Sequence, residues 1–315
     1  MRGATLMTLA YLVGCISSAA GSTLDAVQSE ATLAAFAAWE PPVNLGPVVD
    51  TNSVDGCPYV SKDNLTLYFA SNRPGGHGGL DLYVSHRASD ADPWGPAVNL
   101  ESVNSSADDF CPTLSTDEHS LYLVSTRSGG CGGQDLYVTH RADKSDDQGW
   151  DLPVNLGCTI NSPQNDFTPS LIEDEMTGEM LLYFSSNRPG GMGGVDIWVS
   201  SLDPANGWSA AANVAELNTA QDDQRPNIRH DGKEIFFSSN RPGSAGLDLY
   251  SASRDENAGR FANVVRLPIN SAATDDRPSI SWDGDDLYFM SNRSGGSGSM
   301  DLWVSHRAKA HGPTH

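Results

Sequence analysis

Basic residues are scarce in this chain: 19 Lys and Arg face 40 Asp and Glu. A surface of that sign repels a phosphate backbone, which excludes nucleic acid as a partner. It reads as a solvated acidic surface that favours solubility. Long helical patterns are nearly missing. Short apolar runs lie between clusters of Gly, Pro, Asn, Asp and Ser, so an all-β fold is expected. Familiar catalytic signatures are missing too. There is no HExxH, no GxSxG and no GKS or GKT after a glycine run, which removes the zinc-protease, nucleophile-elbow and P-loop readings.

The one apolar run at the start, Gly3 to Val13 after Arg2, is too short for a stable membrane anchor. It reads as a secretory signal over residues 1–20. Two processing routes are open. Leu12-Val13-Gly14-Cys15 matches a bacterial lipobox and would leave a lipidated Cys15, the only membrane attachment expected; Ser18-Ala19-Ala20 offers ordinary cleavage. Residues 21–38 read as a tether or short helix, 39–307 as the fold and 308–315 as a tail. The expected location is outside the cytoplasm. In a Gram-negative cell it is periplasmic or outer-membrane-anchored, and otherwise extracellular.

What the chain has in abundance is repetition. "SNRPGGHGGLDLYVS" and its variants recur with arginines at Arg73, Arg127, Arg188, Arg241 and Arg293, spaced 52 to 61 residues apart. Each unit holds four candidate strands: one after a proline ("PYVS", "PTLS", "PSLI", "PNIR", "PSIS"), one around "LYF", one at "DLYVS", and one led by an aromatic. Four short antiparallel strands repeated about an axis form a β-propeller. The chain ends after the third strand of the fifth unit, while Trp39 and "PPVNL" supply a fourth strand at the start. The expected fold is a single five-bladed propeller, closed by an N-terminal strand that completes the last blade and removes an open sheet edge.

The glycine run joins the second and third strands and supplies the positive φ angles of a tight connection. Its flanking charges read as structural ion pairs: Arg73 with Asp81, Arg127 with Asp135, Arg188 with Asp196, Arg241 with Asp248, and Arg293 with Asp301. A calcium site of stacked nine-residue repeats does not fit one loop per blade. Before each inner strand stand "DGCP", "DFCP", "DFTP", "DQRP" and "DDRP". These place Asp55, Asp109, Asp166, Asp223 and Asp275 around one channel mouth. The residue before the proline breaks the symmetry, as Cys57, Cys111, Thr168, Arg225 and Arg277. Arg225 and Arg277 with the five aspartates form the candidate binding face, for a polar group or a cation such as calcium; no other cofactor is expected, and the metal is left unassigned. Four cysteines allow three pairings; 57–111 and 131–158 are favoured in an oxidising compartment.

At "SNR…DLY" and "PSxSxDG" the chain resembles the WD40-like propeller repeat of the TolB type. The resemblance covers nearly everything after the tether and is specific for the repeat. It implies a propeller of the cell envelope, although that type is usually six-bladed. It assigns no activity, since neither an α/β-hydrolase nor a peptidoglycan-binding segment accompanies these repeats. The function expected is a non-catalytic binding or scaffold module that engages a protein or envelope component through the Asp/Arg face. The alternative is a carbohydrate-active enzyme whose two carboxylates, about 5–10 Å apart around a sugar, come from the five aspartates. Oligomeric state is not read from the sequence.

Overall fold

The second strand of each repeat alternates two sets of apolar side chains, and both sets are buried. In Thr66–Ser71, Leu67 and Phe69 join the cluster with Val49, Tyr288 and Leu302 on one side. Tyr68 and Ala70 join the cluster with Leu121 and Leu123 on the other. A strand apolar on both faces needs a sheet against each face, and a ring of blades supplies it. Full burial of a Leu or Phe among them contributes about 1.5–3 kcal/mol.

The computed structural model describes residues 36–174, 177–255 and 259–309. The expected signal with Cys15, most of the expected tether and the end of the expected tail lie outside the described residues. Ala38–Arg307 forms one compact unit; in the other, Phe36 bridges Lys309. Among the described residues there is no helix. The first four blades begin with inner strands Asp55–Val60, Asp109–Leu114, Asp166–Glu173 and Asp223–Ile228. Each continues through two more antiparallel strands to a short outer strand, Val98–Asn99, Val154–Asn155, Ala212–Asn213 and Phe261–Arg266. The fifth blade runs Asp275–Ile280, Asp286–Ser291 and Asp301–His306, and Val43–Asn44 completes it. There Val43 pairs with Val304 and Asn44 with Trp303, so the expected closure of the ring is present. The aromatics leading the outer strands pack under guanidinium groups: Arg87 lies 4.5 Å from the Trp94 ring, Arg141 4.3 Å from Trp150 and Arg307 4.4 Å from Trp39.

The ion pairs differ from expectation. Each arginine binds the inner-strand aspartate: Arg73–Asp55 at 2.7 Å, Arg127–Asp109 at 2.6 Å and Arg188–Asp166 at 2.5 Å, with Arg241–Asp223 and Arg293–Asp275 alike. Ser71 stands opposite both Asp55 and Asp81, so sequence spacing does not separate the two partners. The glycine loop separates them, because its own N–H groups take the other aspartate. His77 and Gly78 donate to Asp81 at 2.6 and 3.1 Å, and the loops before Asp135, Asp196 and Asp301 do the same. Asp248 accepts from Ala245 N–H and from Arg266 instead. Glycine is required by close approach: a Cβ on Gly78 would stand 1.8 Å from the carbonyl oxygen of Ala107 in the next blade.

Candidate functional site

The axial channel has two mouths, and blades differ from one another at both. At the glycine-loop mouth, the expected aspartate ring is not available to a ligand. Asp55, Asp109, Asp166, Asp223 and Asp275 are all fully buried. Asp55 shows why: one oxygen takes the Arg73 guanidinium, and the other accepts Thr51 N–H and Oγ1 at 2.6 and 2.8 Å. The other four repeat this network. Carboxylates so saturated brace the ring and cannot serve as a sugar's acid and base.

The pre-proline residues do face the axis. Each sits in a β-bulge with left-handed backbone: φ is 51° at Cys57, Cys111 and Thr168, 58° at Arg225 and 56° at Arg277. A residue before proline is normally extended, so this geometry is costly and re-aims the side chain. Cys57 and Cys111 form a disulfide with Cα atoms 4.7 Å apart, and Cys131 pairs with Cys158 at 5.6 Å. Both pairings are the ones favoured from sequence. Arg225 pairs with Asp276, and Arg277 donates to both sulfurs of the 57–111 bridge.

The opposite mouth is built by the turns that end the inner strands. In four of the blades a side chain ties down the turn aspartate two residues on: Ser61 to Asp63, Ser115 to Asp117, Arg229 to Asp231 and Ser281 to Asp283. The residue between is different in every blade, Lys62, Thr116, Glu173, His230 and Trp282. Comparing the repeats at this position is the sequence signal that exposes the face, and comparison at the pre-proline position alone passes over it. Lys62, Thr116, His230 and Trp282 converge. His230 stacks on Trp282 with ring centroids 4.3 Å apart, and Lys62 Nζ lies 4.3 Å from the Trp282 ring. Tyr59, Thr116 and Asn227 line the same hollow of about 50 Å³.

Beside it, between blades 1 and 2, opens a cavity of about 350 Å³. That lies within the range of roughly 300–1,000 Å³ usual for small-ligand sites. Asp63, Tyr68, His86, Glu118, Arg141 and Asp147 line it. Asp147 comes from the loop between the third and outer strands of blade 2. Tyr68 OH and Arg141 Nη1 each donate to its Oδ1 at 3.2 Å, and His86 Nε2 lies 2.6 Å from its Oδ2. The second ring nitrogen of His86 meets Thr66 Oγ1 at 3.2 Å. Burial, reinforced by the charge of Asp147, pushes the Tyr68 phenol above its ordinary range and keeps it a donor. Glu118 occupies a left-handed turn position at φ 61° and accepts Lys62 N–H at 2.8 Å, which links the cavity to Trp282. Arg141 also donates from Nε to the Glu118 carbonyl at 3.1 Å, so one guanidinium orients both acidic elements. The arrangement offers two carboxylates on different loops, hydrogen-bond donors around one of them, and an aromatic at the edge. Among the described residues no group of three or more His, Cys, Asp or Glu side chains is placed to hold a metal.

Solved structures share this ring. The catalytic domain of the GH62 α-L-arabinofuranosidase of Coprinopsis cinerea matches with a TM-score of 0.57 and 13% identity, over 87% of this chain and 98% of that one. A thermostable family-43 glycoside hydrolase matches with a TM-score of 0.55 and 14% identity, over 85% and 92%. TolB from Acinetobacter baumannii aligns less well, with a TM-score of 0.45 and 14% identity over 77% of this chain and 53% of that one. No protein-family model and no curated protein matches the chain. The two glycoside hydrolase structures share the fold that the five sheets of this chain build. The expectation of a non-catalytic scaffold rested on near-equivalent blades and is not upheld: the neighbours named above with TM-scores over 0.5 are glycoside hydrolases, and on the turn face the blades are not equivalent.

Proposed function

We propose that the protein is an exported carbohydrate-active hydrolase whose sugar occupies the cavity between blades 1 and 2. Asp147 and Glu118 are its paired carboxylates. The observation that carries this reading is the cavity of about 350 Å³, with Asp147 held by Tyr68, His86 and Arg141 and with Glu118 facing the same space. Glycoside hydrolysis needs two carboxyl groups, one to protonate the leaving oxygen and one to activate water or attack the sugar. Asp147, held in place by three partners, is assigned as the carboxylate that activates water or attacks the sugar, and Glu118, tied by a single backbone donor, as the group that reaches the leaving oxygen. Trp282 extends the site with an aromatic face, since the exposed Lys62 above it is easily displaced (an exposed cation–π contact is worth about 0.5–1 kcal/mol). The five-bladed glycoside hydrolase neighbours support the reading. A pentose-containing polysaccharide is the substrate class to test first, because one neighbour holds xylotriose and others are α-L-arabinofuranosidases. Two disulfides are in keeping with export.

The test is turnover of 4-nitrophenyl α-L-arabinofuranoside, arabinoxylan and xylo-oligosaccharides by wild type, Glu118→Gln and Asp147→Asn. Loss of a general acid or base lowers the rate by about 10²–10⁴-fold. Absence of turnover on every glycan, or full activity in both variants, would falsify the assignment.

A further inference from the structure

The neck of the channel at the glycine-loop mouth holds more positive than negative charge. Arg225 and Arg277 both stand at bulge positions, Arg277 lines the axial cavity, and Arg225 lies close enough to act on its charge. Among the described residues Asp276 is the carboxylate that meets them: it takes Arg225 Nη1, and its other oxygen accepts the Arg277 backbone N–H at 2.8 Å. The five ring aspartates are committed to their own arginines. The Arg277 guanidinium is left with disulfide sulfurs, at 3.2 Å for Cys111, and with the Phe110 ring at 5.7 Å. Sulfur is a weak acceptor. The Nε atoms of Arg225 and Arg277 are both buried without a hydrogen-bond partner. Burial and the neighbouring Arg225 together press the Arg277 pKa down to about 9, against the partial support of Asp276. A buried charge without a partner is costly, and a site that keeps one invites an ion of opposite sign.

Space for that ion is present. A cavity of about 20 Å³ lies on the axis, lined by Cys57, Cys111, Thr168, Arg277 and the inner-strand prolines. It accepts one water-sized species, for which about 10–15 Å³ suffices, and is too small for a tetrahedral oxyanion. We propose that the neck binds one compact monovalent anion of chloride size against the Arg277 guanidinium, with the charge of Arg225 nearby. The ion completes the charge balance of the axis and stabilises the closed ring. The site is separate from Asp147 and Glu118, so its failure would leave the glycan reading untouched.

Thermal unfolding in sodium chloride against sodium gluconate at constant ionic strength is the first test. Wild type should show a saturable rise in Tm of a few degrees with chloride, by linkage to the folded state. Arg277→Met should lose the rise. Should that variant fail to fold, wild-type crystals soaked in sodium bromide decide through anomalous scattering, with a peak expected in the axial cavity beside the Arg277 guanidinium. Identical Tm curves in chloride and gluconate, an unchanged chloride response in Arg277→Met, or no bromide peak at the neck would each overturn the proposal.

Discussion

Asp50→Asn should stabilise the protein at neutral pH and lose that advantage in acid. In four blades an asparagine spans to the third strand of its neighbour: Asn104 accepts Leu82 N–H at 2.8 Å and donates to Leu82 O at 2.9 Å, and Asn161 and Asn218 repeat the pair. Asn270 does the same with Leu249. In the closing blade the position is Asp50, which accepts Leu302 N–H at 2.8 Å but leaves Oδ2 buried without a partner. Burial, aided by Asp301 and Asp55, raises its pKa from 3.8 to about 7. The neutral acid can donate where the amide does; the carboxylate cannot. Between pH 4 and 7 the native state therefore binds more protons than the unfolded chain, and stability falls as pH rises. At 1.36 kcal/mol per tenfold, the penalty at pH 8 reaches at most about 4 kcal/mol. Asparagine removes it, which corresponds to roughly 2–4 °C in Tm per kcal/mol for a domain of this size. Thermal or urea unfolding of both proteins from pH 4 to 8 measures the difference. A gap that stays constant across that range would refute the reasoning.

Further outcomes follow from the same geometry. A double-mutant cycle should couple Arg73 to Asp55 by more than about 1 kcal/mol and Arg73 to Asp81 by less than about 0.5; Arg73→Met alone should cost about 3–5 kcal/mol, because it leaves Asp55 buried and unpaired. Coupling to Asp81 instead would contradict the pairing. Reducing the 57–111 and 131–158 bridges, which close spans of 54 and 27 residues, should each lower stability by about 4 kcal/mol on the chain-entropy account. Chemical denaturation of the single Cys→Ser pairs reads this directly. Deleting residues 39–45 removes the closing strand and exposes the edge of the fifth blade, so light scattering should report association. Trp282→Ala should weaken oligosaccharide binding in affinity electrophoresis while leaving the melting curve close to wild type.

The ring was legible because arginine, glycine and proline punctuate every blade at a fixed spacing, and the missing outer strand of the fifth repeat stands at Trp39–Leu45. The disulfides were legible because Cys57 and Cys111 hold equivalent positions in neighbouring blades. The ion pairs were not, because Ser71 has an aspartate directly across from it on each side. The choice is made by loop N–H groups that no residue spacing encodes. The cavity was hidden for a different reason. Tyr68, Glu118 and Asp147 belong to a strand, a turn and an outer loop of two blades, and only stacking of the blades brings them together. Glu118 and Asp147 also interrupt the repeat rather than obey it, so a search for recurring residues steps over them. The residues that do recur, Asp55 and its equivalents, hold the ring together.

The most direct measurement is the crystal structure of Glu118→Gln soaked with xylotriose or an arabinosylated xylo-oligosaccharide. Sugar density in the cavity between blades 1 and 2, within hydrogen-bonding reach of Asp147 and extending toward Trp282, is the predicted result. Density confined to the glycine-loop mouth, or no bound sugar at saturating concentration, would contradict the account.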